Sequence, residues 1–392
     1  MFTKNKKISS AALLFVAAIA VIGYLLTHRL ASLTFGFSTN ELRIASLPIG
    51  WHGILASPLF LVFKLFESVS FYFFGQQNIL AARLPSVLLG LIAVTAFGLV
   101  LRAWHNSRIA ILGCLLFATS AWTLHVSRYV GYESSYLVVL PILLLSQVAL
   151  RRYKKRWLTY AVLVVWSLLL FTPGMIWFVA VAAFWQRNDL VQAWQESTLW
   201  WQKVLFILFN ISSLPLLIWS FVKHNNLVVS WLGAPSSFDS LQQLGHRLAA
   251  VPLHLFVRGP GIPDLWLGRL PLLDIFTLSM TIIGIVFYAG KWRNSRSQLL
   301  AAYGVIGTIL IGLGGPVSLS LLVPILYLFA AAGMGWLLHD WLRYFPNNPI
   351  ARGLAIGVVS FAVATSCTYN IYSYYVAWPH NAATITEYSA GK

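Results

Sequence analysis

The first segment with residue types suited to acid–base chemistry is Ser38-Thr39-Asn40-Glu41, followed closely by Arg43. Charged residues make up 9% of the chain, so an acid and a base this close together are unusual in it. A carboxylate beside a cation can act as a general base that takes a proton from a hydroxyl group. The same four residues also match a helix capping box, in which Ser38 and Glu41 exchange hydrogen bonds with each other's backbone N–H. The sequence leaves both interpretations open for Glu41.

A second pair of opposite charges, Arg128 and Glu133, lies in a short polar turn between two apolar segments. Arg128 could hold a phosphate group through charge-assisted hydrogen bonds, and Glu133 could assist at a reacting centre. A cation at the end of one helix and an anion at the start of the next are also favoured by the helix dipoles alone. On these residues alone, the dipole interpretation is the simpler one.

Four further polar residues are candidates for contacts around such a site. The stretch VRGPGIPD, residues 257–264, is rich in turn-forming residues and predicts an ordered lid that carries Arg258 and Asp264. Asn40 and His52 lie in the same polar interval as Glu41 and complete the group. The histidines of the chain show no metal-ligand spacing such as HxxxH or HExxH, so we expect no metal and no cofactor.

The elements that must position these residues are membrane helices. Hydrophobic residues make up 59% of the 392 residues, and the mean hydropathy is +0.76, which leaves too little polar surface for a soluble globule. Apolar runs of about 20 residues predict about eleven transmembrane helices, so we expect an all-α polytopic integral membrane protein with one domain over residues 1–392. The predicted spans are 8–27, 79–101, 108–127, 134–150, 157–171, 173–186, 203–222, 271–290, 297–314, 317–338 and 353–375.

The segment 54–74 is also apolar, but Pro58 opens it, and Lys64 and Glu67 interrupt it. We therefore expect one helix at the membrane surface here, with a twelfth span as the alternative. In the first interpretation, Glu67 is a solvated loop charge.

The basic residues predict the orientation of the chain. With a cytoplasmic N-terminus, the run RRYKKR at 151–156 and most of the 27 Lys and Arg residues fall on the cytoplasmic side, as the positive-inside rule requires. The net charge of +17 then reflects topology and attraction to anionic lipid, and no nucleic-acid partner is expected. Most of the ten acidic residues fall on the opposite side, where we expect the chemistry. The extracytoplasmic segments are the first loop 27–78, the second long loop 223–270 and the C-terminal tail 374–392.

Several short motifs occur in an order that resembles a known family. They are the first-loop acid, Ser57-Pro58-Leu59-Phe60, Phe74-Gly75, Ala82-Arg83-Leu84-Pro85-Ser86, Ser127-Arg128 with Glu133, Phe171-Thr172-Pro173-Gly174, Leu270-Pro271-Leu272-Leu273-Asp274 and Val323-Pro324-Ile325-Leu326-Tyr327. In this order they resemble the membrane glycosyltransferases with the GT-C fold. The resemblance spans most of the chain and is strongest to the protein O-mannosyltransferase and lipid A aminoarabinose transferase branch, glycosyltransferase family 39 and its relatives.

The resemblance implies a multi-pass enzyme of the cell membrane. Such an enzyme takes a sugar from a polyprenyl-phosphate carrier and passes it, by inverting displacement, to an acceptor glycan, lipid or protein on the extracytoplasmic face. Relatives carry an Asp-Glu pair in the first loop, where this chain has Asn40-Glu41, so Glu41 is the predicted general base and Glu133 its support. The cations expected on the donor phosphate are Arg128, Arg83 and Arg43.

Two other functions compete with glycosyl transfer. Asn40, in the position of the family's aspartate, is compatible with a non-catalytic protein that binds polyprenyl phosphate or serves in assembly and retains the fold. A transporter is disfavoured, because no charged residue falls in the middle of a predicted span.

Overall fold

A computed structural model describes residues 10–34, 36–47, 50–76, 78–153, 156–195, 200, 203–204, 207–208, 213–223, 226–237 and 240–390. Within these residues the protein is helical throughout and contains no β-strand. The all-α fold class predicted from hydropathy is therefore confirmed.

Four helices are long and apolar enough to cross a membrane, and each coincides with a predicted span. Shorter apolar helices lie within other predicted spans, while the middle part of the predicted span 203–222 falls outside the described residues. The four long helical stretches are Ile79–Trp104, Glu133–Tyr153, Leu319–Tyr344 and Pro349–Ala377.

The helices are numbered here in chain order. They are α1 (Ser10–Thr27), α2 (Thr39–Ala45), α3 (Trp51–Ala56), α4 (Leu61–Phe74), α5 (Ile79–Trp104), α6 (Ser107–Thr119), α7 (Ala121–Val126), α8 (Glu133–Tyr153), α9 (Arg156–Leu169), α10 (Met175–Trp185), α11 (Arg187–Gln195), α12 (Leu214–Lys223), α13 (Asn226–Trp231), α14 (Leu241–Phe256), α15 (Ile275–Ala289), α16 (Ser295–Gly312), α17 (Val323–Tyr344), α18 (Pro349–Tyr372) and α19 (Ala382–Ala390). A 3-10 turn (Leu319–Leu321) precedes α17, and a π-helical turn (Ser373–Ala377) follows α18.

Small residues allow the long helices to pack backbone to backbone. At Gly284 of α15, an added Cβ would lie 1.8 Å from the carbonyl oxygen of Phe329 in α17, and at Gly333 of α17 it would lie 2.1 Å from that of Met280 in α15. At Gly90 of α5, an added Cβ would lie 2.2 Å from the Ser127 hydroxyl. Close approach at small residues is the usual way in which membrane helices associate. The Gly90 contact brings α5, which carries Arg83, against the turn that carries Arg128.

The first loop forms three short helices, so the predicted helix over 54–74 is continuous only from Leu61 to Phe74, and its position at the membrane surface stays a prediction. α3 ends at Ala56 and α4 begins at Leu61, because Phe60 has φ +60° and the left-handed conformation interrupts the helix. Glu67 is also not a solvated charge, since it faces inward and is 5% exposed. Lys64, one turn earlier on α4, donates to the carbonyl oxygen of Ser57 at 2.6 Å.

The C-terminal tail packs over the predicted lid. Trp378 and Thr384 donate to the carbonyl oxygen of Pro263 at 3.1 Å and 3.3 Å, and the Tyr388 hydroxyl donates to that of Asp264 at 3.0 Å. α19 therefore holds the lid segment against the start of α2 and the turn after α7.

Candidate active site

Glu41 lies at the centre of a buried ion pair with Arg83. Its Oε1 accepts from Nε of Arg83 at 3.0 Å and its Oε2 accepts from Nη2 at 2.8 Å, which is the bidentate geometry that guanidinium and carboxylate groups favour. The backbone N–H groups of Val130 and Ser38 donate to the same two oxygens at 3.0 Å and 3.1 Å. Four donors thus surround a carboxylate that has no exposed surface.

The capping box predicted at Ser38 and Glu41 is confirmed. Ser38 is the N-cap of α2, its hydroxyl accepts from the Glu41 N–H, and the Glu41 carboxylate accepts from the Ser38 N–H. Glu41 therefore caps a helix and neutralises a buried arginine at the same time.

Arg83 fixes the first loop to α5. Besides Glu41, its guanidinium donates to the carbonyl oxygens of Leu30 and Gly36 at 2.9 Å and 3.1 Å and to the Thr34 hydroxyl at 3.0 Å. Nearly all of its donors are used within the protein. Arg83 is 4% exposed, so this network holds the end of α1 and the start of α2 in place.

Asp264, the last residue of the lid, contacts the first loop. Its Oδ2 accepts from the Asn40 amide at 3.0 Å, from the Tyr129 hydroxyl at 2.8 Å and, more weakly, from the Ser38 hydroxyl at 3.4 Å. Oδ1 accepts no hydrogen bond from the residues that the structure describes. Burial and the neighbouring Asp264 raise the pKa of the Tyr129 phenol well above its ordinary value, so Tyr129 remains a donor. Of the four residues predicted to make contacts around the site, Asn40 and Asp264 are therefore hydrogen-bonded to each other.

Arg128 binds the C-terminal end of α1. Nη1 donates to the carbonyl oxygen of Leu25 and Nη2 to that of His28, both at 2.7 Å, and Nη1 also contacts the Tyr375 hydroxyl. The open carbonyl groups at a helix C-terminus favour a cation there. The Nε–H of Arg128 is buried and has no partner among the described residues. Unlike Arg83, Arg128 pairs with no carboxylate among the described residues. Its charge is therefore not neutralised by an acid, and its Nε–H is not used by any of these residues.

Aromatic residues from the C-terminal tail surround Arg128 and His125. The guanidinium lies 5.2 Å and 4.9 Å from the ring centroids of Tyr374 and Tyr375. Tyr374 and Trp378 also pack edge-on against His125, at centroid distances of 4.6 Å and 4.7 Å. The π-helical turn after α18 presents these rings, and such turns are frequent at functional sites.

A small polar cavity lies between these groups. Its volume is about 10 Å³, which is the minimum for one water molecule. Of the predicted site residues, the cavity brings together Arg83, Arg128 and Asp264. The full lining is Leu33, Thr34, Arg83, His125, Arg128, Tyr129, Asp264, Tyr374, Trp378 and Tyr388.

The other predicted site residues do not line this cavity, although Glu133 is close enough to Asp264 for that carboxylate to raise the pKa of Glu133. Glu133 begins α8 as predicted, and its Oε2 is buried without a partner among the described residues. Arg43, His52 and Arg258 have exposed side chains on three different elements. The structure therefore does not bring these four residues together with Arg128.

A second, larger cleft lies beside the polar cavity. It has a volume of about 700 Å³ and apolar walls formed mainly by residues 270–273, α15 and α18. Polar side chains interrupt these walls around Asp274, whose Oδ2 accepts from Ser366 at 2.7 Å and from Asn370 at 3.0 Å. Trp266 lines this cleft, and its ring packs 5.3 Å from His125, which lines the polar cavity. A single indole ring thus lies between the apolar cleft and the polar cavity.

Several residues at this site were not identified from the sequence, namely His125, Tyr129, Tyr374, Tyr375 and Trp378. The signal available for them was the density of aromatic residues after α18, in SYYVAW at 373–378. Aromatic residues at a helix end are also typical of the membrane interface, so this signal does not separate a site from an anchor.

No protein-family model matches the sequence, and no curated protein does. Solved structures do match its fold. ArnT from Cupriavidus metallidurans bound to undecaprenyl phosphate superposes with a TM-score of 0.58 at 13% identity, over 96% of this chain and 77% of ArnT. The archaeal oligosaccharyltransferase AglB from Archaeoglobus fulgidus, in complex with an inhibitory peptide and a dolichol-phosphate, gives 0.54 at 11% identity, over 93% of this chain and 56% of AglB. The chain therefore has the GT-C fold of membrane glycosyltransferases, as its motifs predicted.

Proposed function

We propose that this protein transfers a sugar from a polyprenyl-phosphate donor to an acceptor on the extracytoplasmic face of the membrane. The observation that carries the proposal is the small cavity, on whose walls a charged arginine with a free buried donor faces a carboxylate. The fold supports it, because both ArnT and AglB are bound to lipid phosphates in structures that superpose on this chain.

The donor is proposed to lie across the two cavities. Its isoprenoid tail occupies the apolar cleft beside Asp274. Its phosphate binds Arg128, whose Nε–H and positive charge are suited to an anion. Trp266 stands where the tail meets the phosphate. This arrangement supports a lipid-linked donor better than a soluble nucleotide sugar, since the larger space is apolar.

The proposed reaction is an inverting displacement. The acceptor hydroxyl oxygen forms a bond to the anomeric carbon while the bond from that carbon to the phosphate oxygen breaks. The electron pair of the broken bond leaves with the lipid phosphate, whose charge Arg128 stabilises. The hydroxyl proton passes to a carboxylate on the acceptor side, and one such carboxylate is sufficient.

The geometry supports Asp264 as that base better than Glu41. Glu41 was the predicted base, but both of its oxygens are saturated by Arg83 and two backbone N–H groups. Asp264 lines the cavity, its Oδ1 accepts no hydrogen bond from the described residues, and Asn40 and Tyr129 hold its Oδ2 in place. We therefore propose that Asp264 accepts the proton, that Glu41 and Arg83 shape the loop, and that Glu133, whose pKa is raised by burial and by the neighbouring Asp264, is a supporting acid.

Donor binding requires the cavity to open, because about 10 Å³ does not hold a phosphate or a sugar. The segments that close it are the lid 257–264 and helix α19, which are joined by the bonds of Trp378, Thr384 and Tyr388 to the lid backbone. Displacement of α19 alone, with Asp264 still held by Asn40 and Tyr129, exposes Arg128 and Asp264 together.

The closed cavity also favours a second candidate function, a lipid-phosphate-binding protein without transferase activity. The two functions differ in one experiment. Purified protein is incubated with radiolabelled undecaprenyl-phosphate sugars and a panel of envelope acceptors, and both donor binding and product are measured. Transfer that is lost in Asp264→Asn and Arg128→Gln, and kept in the exposed-residue control Arg258→Gln, supports the enzyme. Binding that depends on Arg128 with no product for any donor supports the second function.

We also propose the predicted topology of about eleven spans, with the N-terminus in the cytoplasm and the C-terminus outside. Single cysteines introduced at His52, in the first loop, and at Arg293, between α15 and α16, test it. A membrane-impermeant maleimide is expected to label the first in intact cells and the second only after lysis. The reverse pattern would refute the orientation.

A further inference from the structure

Four arginines line one cavity at the end of the helix bundle opposite to the candidate active site. The cavity has a volume of about 550 Å³, and its cations are Arg102, Arg151, Arg152 and Arg296. They come from the C-terminal ends of α5 and α8 and from the first turn of α16. The wall between them has an apolar part with Val148 and Leu299 and also includes Gln147 and Ser295.

The length of α5 places this cavity at the other membrane interface. Arg83, at the candidate active site, and Arg102 lie on the same helix, and their separation along its axis is roughly 30 Å at about 1.5 Å per residue. This distance matches the thickness of the hydrocarbon core, about 30 Å. The arginine cavity therefore lies at the level of the lipid headgroups on the face away from the lid.

The four guanidinium groups have no acidic partner in the structure. No Asp or Glu among the described residues lines the cavity. Within the described residues, the salt bridge is Glu41–Arg83, which lies far from this cavity. The contacts of these arginines are weak: Arg151 donates to the carbonyl oxygen of Trp185 at 3.5 Å, and Arg296 and Arg152 lie over the rings of Trp104 and Tyr153 at 5.4 Å and 5.8 Å. Like charges held side by side repel one another, so this arrangement favours an anion between them.

From this cavity we infer a binding site for a phosphate group, occupied by the headgroup of an anionic phospholipid. Guanidinium groups bind phosphate in a bidentate manner, and basic pockets between membrane helices are suited to acidic lipid headgroups. The apolar wall at Val148 and Leu299 gives the acyl chains a place to begin, which a soluble phosphate compound would not need. The site is independent of the sugar transfer proposed at the opposite face.

The positive charge of this face alone would also attract anionic lipid without a specific site, so the test needs a matched control. The double variant R102Q/R296Q removes two cavity cations, whereas R108Q/R293Q removes two exposed cations of the same region that do not line the cavity. R102K/R296K keeps the charge and loses the bidentate geometry. Melting temperatures of all variants establish that they are folded.

The full-length protein in neutral detergent is titrated with phosphatidylglycerol or phosphatidylcholine, and bound lipid is counted by native mass spectrometry. We expect phosphatidylglycerol to bind preferentially, roughly 30-fold more weakly to R102Q/R296Q and nearly unchanged to R108Q/R293Q. R102K/R296K should lie between them. An equal loss in both glutamine variants would overturn the site and leave only general surface attraction.

A parallel arm distinguishes the lipid from a soluble phosphate. Inorganic pyrophosphate and ATP are added to lipid-free protein, and the melting temperature is measured. No shift at millimolar concentration supports the lipid headgroup. A shift that disappears in R102Q/R296Q, with no preference for phosphatidylglycerol, would refute the lipid and assign the cavity to a soluble phosphate compound.

Discussion

Replacing Glu41 by glutamine is expected to destabilise the protein severely, even though the side chain keeps its shape. The carboxylate is completely buried and neutralises Arg83, which is 4% exposed. Removing one partner of a buried ion pair leaves an uncompensated charge and costs about 3–5 kcal/mol. Glu41→Ala also leaves the N–H groups of Ser38 and Val130 without an acceptor, and the lost cap adds about 1 kcal/mol.

A double-mutant cycle measures this coupling. The free energy of unfolding is obtained by SDS titration for the natural protein, Glu41→Gln, Arg83→Gln and the double variant. The double variant should be less destabilised than the sum of the single variants by roughly 2–3 kcal/mol, because it buries no unpaired charge. Arg43→Gln, on the exposed face of the same helix, is the control and should change stability by less than about 0.5 kcal/mol.

Additive single-variant effects, or a loss below about 1 kcal/mol for Glu41→Gln, would refute the ion pair as a stabilising element. The double variant also separates structure from catalysis. If it folds and transfers sugar at the natural rate per folded molecule, Glu41 is not the general base. If it folds and is inactive while Asp264→Asn remains active, the base is Glu41 and the assignment to Asp264 fails.

Three further results are expected. Burial raises the pKa of Glu67 from 4.5 to about 7, so its contribution to stability is full below pH 4.5 and is lost as the pH rises through 7. Between pH 4.5 and 8 the free energy of unfolding of the natural protein should therefore fall, relative to that of Glu67→Gln, by roughly 3 kcal/mol. An equal pH dependence of the two proteins would contradict this. Gly90→Ala should cost about 1–3 kcal/mol in the same assay, because its Cβ would collide with Ser127. Gly353→Ala, in α18 with open space around it, should instead stabilise the protein by about 0.5–1 kcal/mol. Tyr129→Phe removes a hydrogen bond to Asp264 and should lower the free energy of unfolding by about 1 kcal/mol. The rate of sugar transfer per folded molecule should fall as well. A rate equal to that of the natural protein would show that Tyr129 does not hold the base.

The sequence predicted the features that depend on neighbouring residues. The capping box joins Ser38 to Glu41, three positions later, and hydropathy located the ends of the four long helices to within about six residues. The start of α8 at Glu133 was also predicted, because helix dipoles favour an acid there. These patterns are local, so a single sequence contains the information that defines them.

The partners of the charged residues could not be predicted, because they come from distant parts of the chain. Arg83 follows Glu41 by 42 positions, and Asp264 follows Asn40 by 224. Which of these groups meet depends on how the helices pack, for example on the contact between Gly90 and Ser127. The same limit applies to Glu67, where an interruption of an apolar run suggested exposure, yet α4 turns that residue inward.

These pairings change the interpretation of the first loop. From the sequence, Glu41 in this loop was the predicted base, and Arg83 in α5 was one of three arginines predicted to bind the phosphate. In the folded protein those two residues neutralise each other, so neither the charge of Arg83 nor a free oxygen of Glu41 is available to a substrate. Asn40 is then more informative than Glu41, because its amide holds the carboxylate that lines the cavity. An aspartate at position 40 would place two carboxylates at this point, so the asparagine and the use of Asp264 are physically linked.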